Sequence, residues 1–328
     1  MNLERYKPLI PMAIVYVVLI AIGLTLPGMW QPVAYFMFYV ALGQAFNIFL
    51  GLTGYVDFGY VAFLGLGAYG MALAIKNFGH LGLIAIPIGI LLAVIMSVML
   101  SLAVGAVALR LRGAYFAIAT IGVNEGFRYL LEGVRLWGGT EGIVLSGFMR
   151  KAFGREMTNY LSTFVSDVLV FAIAFTAAVV TIAILNRKMG YALLALREDE
   201  DAARVMGINV TKYKIMAFIT SAGFAGLIGA IAWTLKLTYV FPEDVFNIHY
   251  TVEAIVIVML GGAGTLLGPM VGGLLYGAMK YYLSVIFPGI QLLILAPLLI
   301  ITIVAFPEGV VGYVRRRVQN TRLSDYLR

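Results

Sequence analysis

Apolar residues fill this chain in long stretches, separated by short polar segments. The stretches fall near residues 9–26, 33–52, 57–75, 82–109, 114–131, 161–186, 215–235, 250–260, 266–284 and 289–306. Roughly 20 apolar residues are enough to span a bilayer as a helix. The pattern therefore predicts an all-α polytopic membrane protein with about ten transmembrane segments. A transmembrane β-barrel would show ~10-residue segments of alternating polarity, and none occur. The first run, Leu9 to Leu26, is longer than a signal-peptide core and lacks a clear small-x-small cleavage site. It reads as a retained first span.

Ten crossings that begin inside end inside, so both termini are expected to be cytoplasmic. Fifteen of the 23 Lys and Arg then lie on the cytoplasmic side: Arg5, Lys7, Arg110, Arg112, Arg187, Lys188, Arg197, Arg204, Lys212, Lys214, Arg315, Arg316, Arg317, Arg322 and Arg328. Six lie outside: Lys76, Arg135, Arg150, Lys151, Arg155 and Lys236. Arg128 and Lys280 lie within or near span ends. Basic residues favour the cytoplasmic loops of membrane proteins, and the asymmetry supports this orientation.

Some spans are irregular. The run after Phe58 carries Gly59, Gly65, Gly67 and Gly70, and small residues let helix backbones approach closely. The stretch 250–260 is too short to cross alone, since 11 residues rise only ~17 Å in a helix. It runs into Gly261-Gly262-Ala263-Gly264-Thr265, a helix breaker. That break is either a broken helix beside a substrate path or a tight cytoplasmic turn. A faint echo links Leu50–Gly59 (LGLTGYVDFG) with Leu260–Gly268 (LGGAGTLLG). Paired breaks in two halves are a pointer to a transporter's binding region. The segment 132–160, with WGGTEGI at Trp137–Ile143, is the largest outer segment. It is a solvated loop or a docking site for an external partner.

Composition agrees. Of 328 residues, 62% are hydrophobic and 12% charged, against about 45–50% and about 25% in soluble proteins. The absence of cysteine excludes disulfides, thiolate metal sites and cysteine nucleophiles. His80 and His249 stand far apart. A net charge of +7 follows from basic residues flanking apolar spans, so nucleic acid is not an expected partner.

Charge changes the picture at one place. The 28 residues from Arg187 to Lys214 (RKMGYALLALREDEDAARVMGINVTKYK) hold ten of the 39 charged side chains. The segment is expected to stand in water at the membrane surface. Tyr191 to Met206 has no Gly or Pro and favours one helix, closed by Gly207. Thr211 is then expected to cap the next helix. Leu193, Leu196, Glu200 and Ala203 form one row at helical spacing, and Leu194, Glu198, Asp201 and Val205 another. Two readings stay open: a solvated surface helix with pairs such as Glu200–Arg204, or a rod docked against a soluble partner through Asp201, Ala202, Ala203 and Arg204.

Several polar residues fall in or at the edge of spans. An ionised carboxylate at a helix centre costs ~2.5–3.5 kcal/mol, and such residues usually face protein or water and mark pathways. Asp57 either caps the helix starting near Phe58 or contacts substrate. Asp167 reaches the interface. Glu125 can pair with Arg128, beside the row Thr120, Asn124 and Arg128; it is a path candidate or half of a structural ion pair. Glu253 reads the same way. Gln44 and Asn47 are expected to hydrogen-bond between helices. Path candidates are Asn47, Asp57, Asn124, Glu125, Glu253, Gly261, Gly262 and Gly264.

Asp201-Ala202-Ala203-x-x-x-Gly207 resembles the EAA loop of ABC importer membrane subunits. The wider run LREDEDAARVMGINVTKYKIMAF resembles the LivM-type permeases of branched-chain amino acid importers. So do GLTGYVDFGYVAFLGLGAYG (51–70), LRLRGAYFAIATIG (109–122) with Glu125, GGTEGI (138–143) and GGAGTLLGPMVGG (261–273). Asp201 stands where the loop usually has Glu, and the Leu-Pro that ends the general version is missing. The resemblance implies one permease domain over 1–328, with 187–214 as its coupling loop. Glu198, Asp201, Ala202, Ala203, Arg204, Gly207 and Ile208 would contact the ATPase.

It further implies a bacterial inner-membrane importer for branched-chain or related hydrophobic amino acids. The partners would be a homologous second permease chain forming a heterodimer, two ATPase subunits and an external binding protein. There is no GxxxxGK[ST] phosphate-binding loop and no believable nucleophile–base or metal set. The chain is therefore expected to be no enzyme and to bind no cofactor, with ATP and Mg used by partner subunits. Two rivals remain. One is a urea or short-amide importer; the other is an ion-coupled secondary transporter, which would have no need of the charged segment.

Overall fold

A computed structural model describes residues 8–305 and 308–317; at 136, 291, 292, 298, 299, 302, 303 and 305 only the backbone is described. Arg5, Lys7, Arg322 and Arg328 of the charge count lie outside the described residues. Each apolar stretch is helical over most of its described length. In chain order these are α1 (Leu9–Thr25), α2 (Trp30–Asn47) with a short α3 (Leu50–Thr53), α4 (Tyr60–Phe78), α5 (Ala85–Ala108) and α6 (Ala114–Gly133). Then come α7 (Ser146–Phe153), α8 (Arg155–Tyr160), α9 (Ser166–Leu185), α10 (Lys188–Glu198), α11 (Glu200–Val205), α12 (Val210–Ile228) and α13 (Pro242–Val245). The chain closes with α14 (His249–Gly261), α15 (Gly268–Ile286), α16 (Gln291–Ala305) and α17 (Gly309–Arg317).

Among the described residues, five helical stretches of 18 residues or more are apolar enough to cross a membrane: 30–53, 60–108, 155–185, 210–235 and 242–261. The second is long enough for two passages. A 3₁₀ turn at Gly79–Ile84 separates α4 from α5, and Gly82 takes φ 63°, ψ −139° there. A wide π turn at Leu161–Val165 joins α8 to α9, and another at Gly229–Leu235 extends α12.

The chain divides into two compact units. Among the described residues, one holds those up to Gly54, Ala174–Val210 and those from Glu253 onward. In it α2 lies along α15, and a Cβ added at Gly273 would stand 2.6 Å from the Val40 Cα. Only a glycine permits that approach. Val40, Ala41, Leu42, Ala45 and Phe46 of α2 are fully buried. The Tyr16 ring meets Phe175 edge-on at 5.8 Å.

The other unit holds Tyr55–Ile173 and Thr211–Val252. Its centre is α4, packed against α5 and the wide turn of α12. The glycines of α4 make this possible, since a Cβ at Gly67 would sit 2.1 Å from the Gly226 carbonyl oxygen. Hydroxyls then bond neighbouring backbones: Ser97 donates to the Phe63 carbonyl (2.8 Å) and Thr234 to that of Ala68 (2.7 Å).

Segment 132–160 is more structured than a solvated loop. Strand β1 (Ile143–Val144) pairs antiparallel with β2 (Tyr239–Val240), Ile143 opposite Val240. The Leu145 amide donates to the Thr238 carbonyl at 2.8 Å. Ile143, Leu145 and Met149 are buried, which anchors the segment. Gly138, Gly139 and Gly142 supply the positive-φ turns that WGGTEGI encodes.

Candidate functional site

The charged segment folds as an elbow, which corrects the single helix expected over Tyr191–Met206. Asp199 interrupts it with extended backbone (φ −154°, ψ 111°), between α10 and α11. Its carboxylate accepts the amides of Asp201 and Ala202, each at 2.9 Å. Asp is a strong N-cap residue, and within the Glu-Asp-Glu-Asp run this capping outweighs helix continuation. Glu200 and Arg204 pair at 2.9 Å. Gly207 closes α11 at φ +81°, with the Ile208 amide on the Ala203 carbonyl at 3.1 Å. A left-handed glycine and this backward bond form the expected C-terminal stop. Two details differ from expectation. The next helix starts at Val210, so Thr211 lies in its first turn and does not precede it. Lys214 leaves water altogether: it is 1% exposed, and its ammonium bonds the Tyr55 hydroxyl at 2.9 Å.

The elbow has two faces. Leu193 and Leu196 of α10 and Ala203 of α11 are buried. Glu198, Asp201, Ala202, Arg204 and Gly207 are exposed, and Ile208 is half-buried. Beside them stand Val205 and Met206, 87% and 81% exposed. An apolar tip ringed by charge suits a partner's groove, since interface centres are apolar and rims polar. Met206 did not stand out in the sequence. A pair of large apolar residues just before a helix-closing glycine was the available signal.

Beneath the elbow, both glycine breaks come together in the first unit. The Asn47 amide donates to the Thr265 carbonyl at 3.0 Å, and its oxygen accepts the Gly264 amide at 2.9 Å. A Cβ at Gly51 would lie 2.7 Å from the Gly264 nitrogen. The two segments of the sequence echo thus touch. Arg197, in the last turn of α10, reaches into this junction. It donates to the Gly51 carbonyl at 2.6 Å and lies 3.5 Å from that of Ala263. Sequence reasoning counted Arg197 only as a cytoplasmic cation. Its acceptors lie 146 and 66 positions away, so no local pattern marks it.

Other polar candidates fall into pairs. In the first unit the Gln44 amide donates to the Leu266 carbonyl at 3.0 Å. Glu253 pairs with Lys280, whose ammonium also lies 5.3 Å from the Tyr39 ring centre. In the second unit Asp57 accepts the Gly59 amide at 2.9 Å, just ahead of α4, while Thr120 receives the Phe58 amide at 3.1 Å. Asn124 donates to the Phe246 carbonyl at 2.9 Å. Arg128 lies 3.5 Å from both Glu125 and Glu132. Asp167 is 1% exposed and paired with Lys236. Of the path candidates, Asn47, Glu253, Gly261, Gly262 and Gly264 belong to the first unit. Asp57, Asn124 and Glu125 belong to the second.

The elbow thus has a buried root and an exposed tip, on a helical apolar body. The family model for the branched-chain amino acid transport system / permease component matches residues 29–303. The chain belongs to this permease family. The permease protein LivM of Escherichia coli K12, of a high-affinity branched-chain amino acid transport system, is 31% identical over 303 residues, covering 86% of this chain and 70% of the relative. BraD of Pseudomonas aeruginosa is 24% identical over 283 residues (84% and 91%). LivH of Salmonella typhimurium is 23% identical over 286 residues (84% and 91%). No solved structure matches the chain. As a family member it is a transport subunit in a membrane, and the apolar helices suit that place.

Proposed function

We propose that the chain is an inner-membrane permease subunit of an ATP-driven importer for branched-chain or related hydrophobic amino acids. Family membership sets the class; the exposed elbow of α10 and α11 carries the mechanism. Only the four residues 206–209 join it to α12, so force on its tip is delivered to an apolar helix. In this reading two ATPase subunits bind Val205, Met206 and the charged rim Glu198, Asp201, Ala202 and Arg204, with Ala203, Gly207 and Ile208 shaping the tip. ATP and Mg stay on those subunits. ATP-driven closure moves the elbow, and the attached helices switch the path from outward to inward. Linkage requires the reverse effect too: a loaded external binding protein biases the ATPases.

The proposed topology has ten crossings, with both termini and the elbow in the cytoplasm. The helices α1, α2, α4, α5, α6, α9, α12, α14, α15 and α16 supply them. A second, homologous permease chain completes the path. Support comes from α6, where a Cβ at Gly122, Gly126 or Gly133 would meet nothing within 4 Å. Tyr115, Ile118, Tyr129 and Leu130 of the same helix are exposed. Small residues beside bulky ones on an open helix are what a close helix partner needs. Glu125 is the polar group such a face would bring to the path.

The test is uptake into vesicles carrying the whole importer. Labelled leucine is expected to accumulate only with ATP and the external binding protein, and urea to be left behind. Leucine uptake driven by an ion gradient, with the ATPases absent, would overturn the proposal.

A further inference from the structure

The elbow and both glycine breaks share one side chain. At α3 the carbonyls of Phe49, which precedes it, and Leu50 are taken by the amides of Thr53 and Gly54. The next carbonyl, that of Gly51, receives Arg197 at 2.6 Å. At the end of α14 the Val258 carbonyl is taken by the Gly262 amide, and the Ala263 carbonyl two residues past the helix faces the same guanidinium at 3.5 Å. The last carbonyls of a helix lack intrahelical partners and carry partial negative charge. One cation here meets the C-terminal carbonyl of Gly51 in α3 and, at 3.5 Å, the chain two residues past α14.

The junction is shaped for that group. Gly264 holds φ +79°, and a Cβ there would lie 2.2 Å from the Arg197 terminal nitrogen. A Cβ at Gly54 would touch the Arg197 stem at 3.4 Å. Asn47 fastens the two breaks to each other through Thr265 and Gly264. Moving α10 therefore carries both breaks with it or pulls Arg197 out of both. Both contacts come from one terminal nitrogen, Nη1, held in place by a rigid planar guanidinium, whereas an ammonium is a compact point charge on a flexible stem.

We infer that Arg197 is the positioning residue that transmits movement of the elbow to the paired breaks at Gly51–Gly54 and Gly261–Thr265. It is separate from the apolar docking tip, Val205 and Met206, and adjoins the rim residue Glu198. This rests on the reading of the elbow as the ATPase contact.

The experiment compares Arg197→Met, Arg197→Lys and Lys188→Met in the complete importer, reconstituted in vesicles with its binding protein. ATP hydrolysis and leucine uptake are measured in the same vesicles, along with the amount of ATPase that stays bound on purification. Arg197→Met is expected to keep its ATPases and to hydrolyse ATP, while uptake per ATP falls at least tenfold. Arg197→Lys restores part of it, and Lys188→Met behaves as wild type. Wild-type uptake per ATP in Arg197→Met overturns the inference, as does loss of the ATPases from Arg197→Met and Arg197→Lys alike. A wild-type importer without ATP-dependent uptake removes the parent reading, and this inference with it.

Discussion

Single side chains set the joints of this permease. Asp199 converts one helix into an elbow by capping α11 through two 2.9 Å bonds. Asp199→Ala is expected to cost about 1 kcal/mol of local stability. Hydrogen exchange at the Asp201 and Ala202 amides should speed up by several-fold, with α9 and α12 unchanged; unchanged protection at those two amides would contradict the capping role. Glu253 and Lys280 are a second case. Lys280→Met leaves a mostly buried carboxylate without its cation, at a cost of about 3–5 kcal/mol. Thermal unfolding in detergent should show a clear loss, largely recovered by adding Glu253→Gln. Equal melting of the single and double variants would contradict the pairing. Some of these contacts were legible in the sequence because they are local. Glu125 and Arg128 lie one helical turn apart, as do Glu200 and Arg204. Arg197, Lys280 and Lys236 were not, since their acceptors come from distant elements and only the fold brings them near.

Elements were easier to read than contacts. Runs of apolar residues marked every long helix, since an interior or membrane face demands them regardless of partner. The elbow was the exception. Helix propensity favoured continuity from Tyr191 to Met206, and a capping carboxylate prevailed because its hydrogen bonds satisfy amides that continuation leaves to the backbone. The segment 132–160 misled for another reason: its order comes from pairing with Tyr239–Val240, about a hundred residues on. The elbow also yields a direct prediction. Proline fixes φ near −65° and cannot follow Gly207 at +81°, so Gly207→Pro should distort the tip. Asp201→Lys reverses its charge. Both variants should lower uptake per ATP at least tenfold while the chain still inserts, measured as uptake and hydrolysis in the same vesicles. Normal uptake by both would remove the coupling role of the elbow.

At the scale of the whole molecule, the membrane class followed from composition, and the transport family from motifs spread between residues 51 and 273. What the sequence left open was how its glycine breaks are used. The echo between Leu50–Gly59 and Leu260–Gly268 becomes a physical junction, closed by Asn47 and reached by Arg197. The sequence pattern pairs the two segments, about 210 residues apart, but only the fold shows that they touch. The central claim is that ATP spent elsewhere moves this chain through its elbow. Its most direct test is ATP hydrolysis and leucine uptake measured together in vesicles holding the complete importer, with and without Asp201→Lys. The account predicts ATP-dependent accumulation by the wild type and hydrolysis without accumulation by the variant. Equal accumulation by both, or wild-type accumulation that needs no ATP, would contradict it.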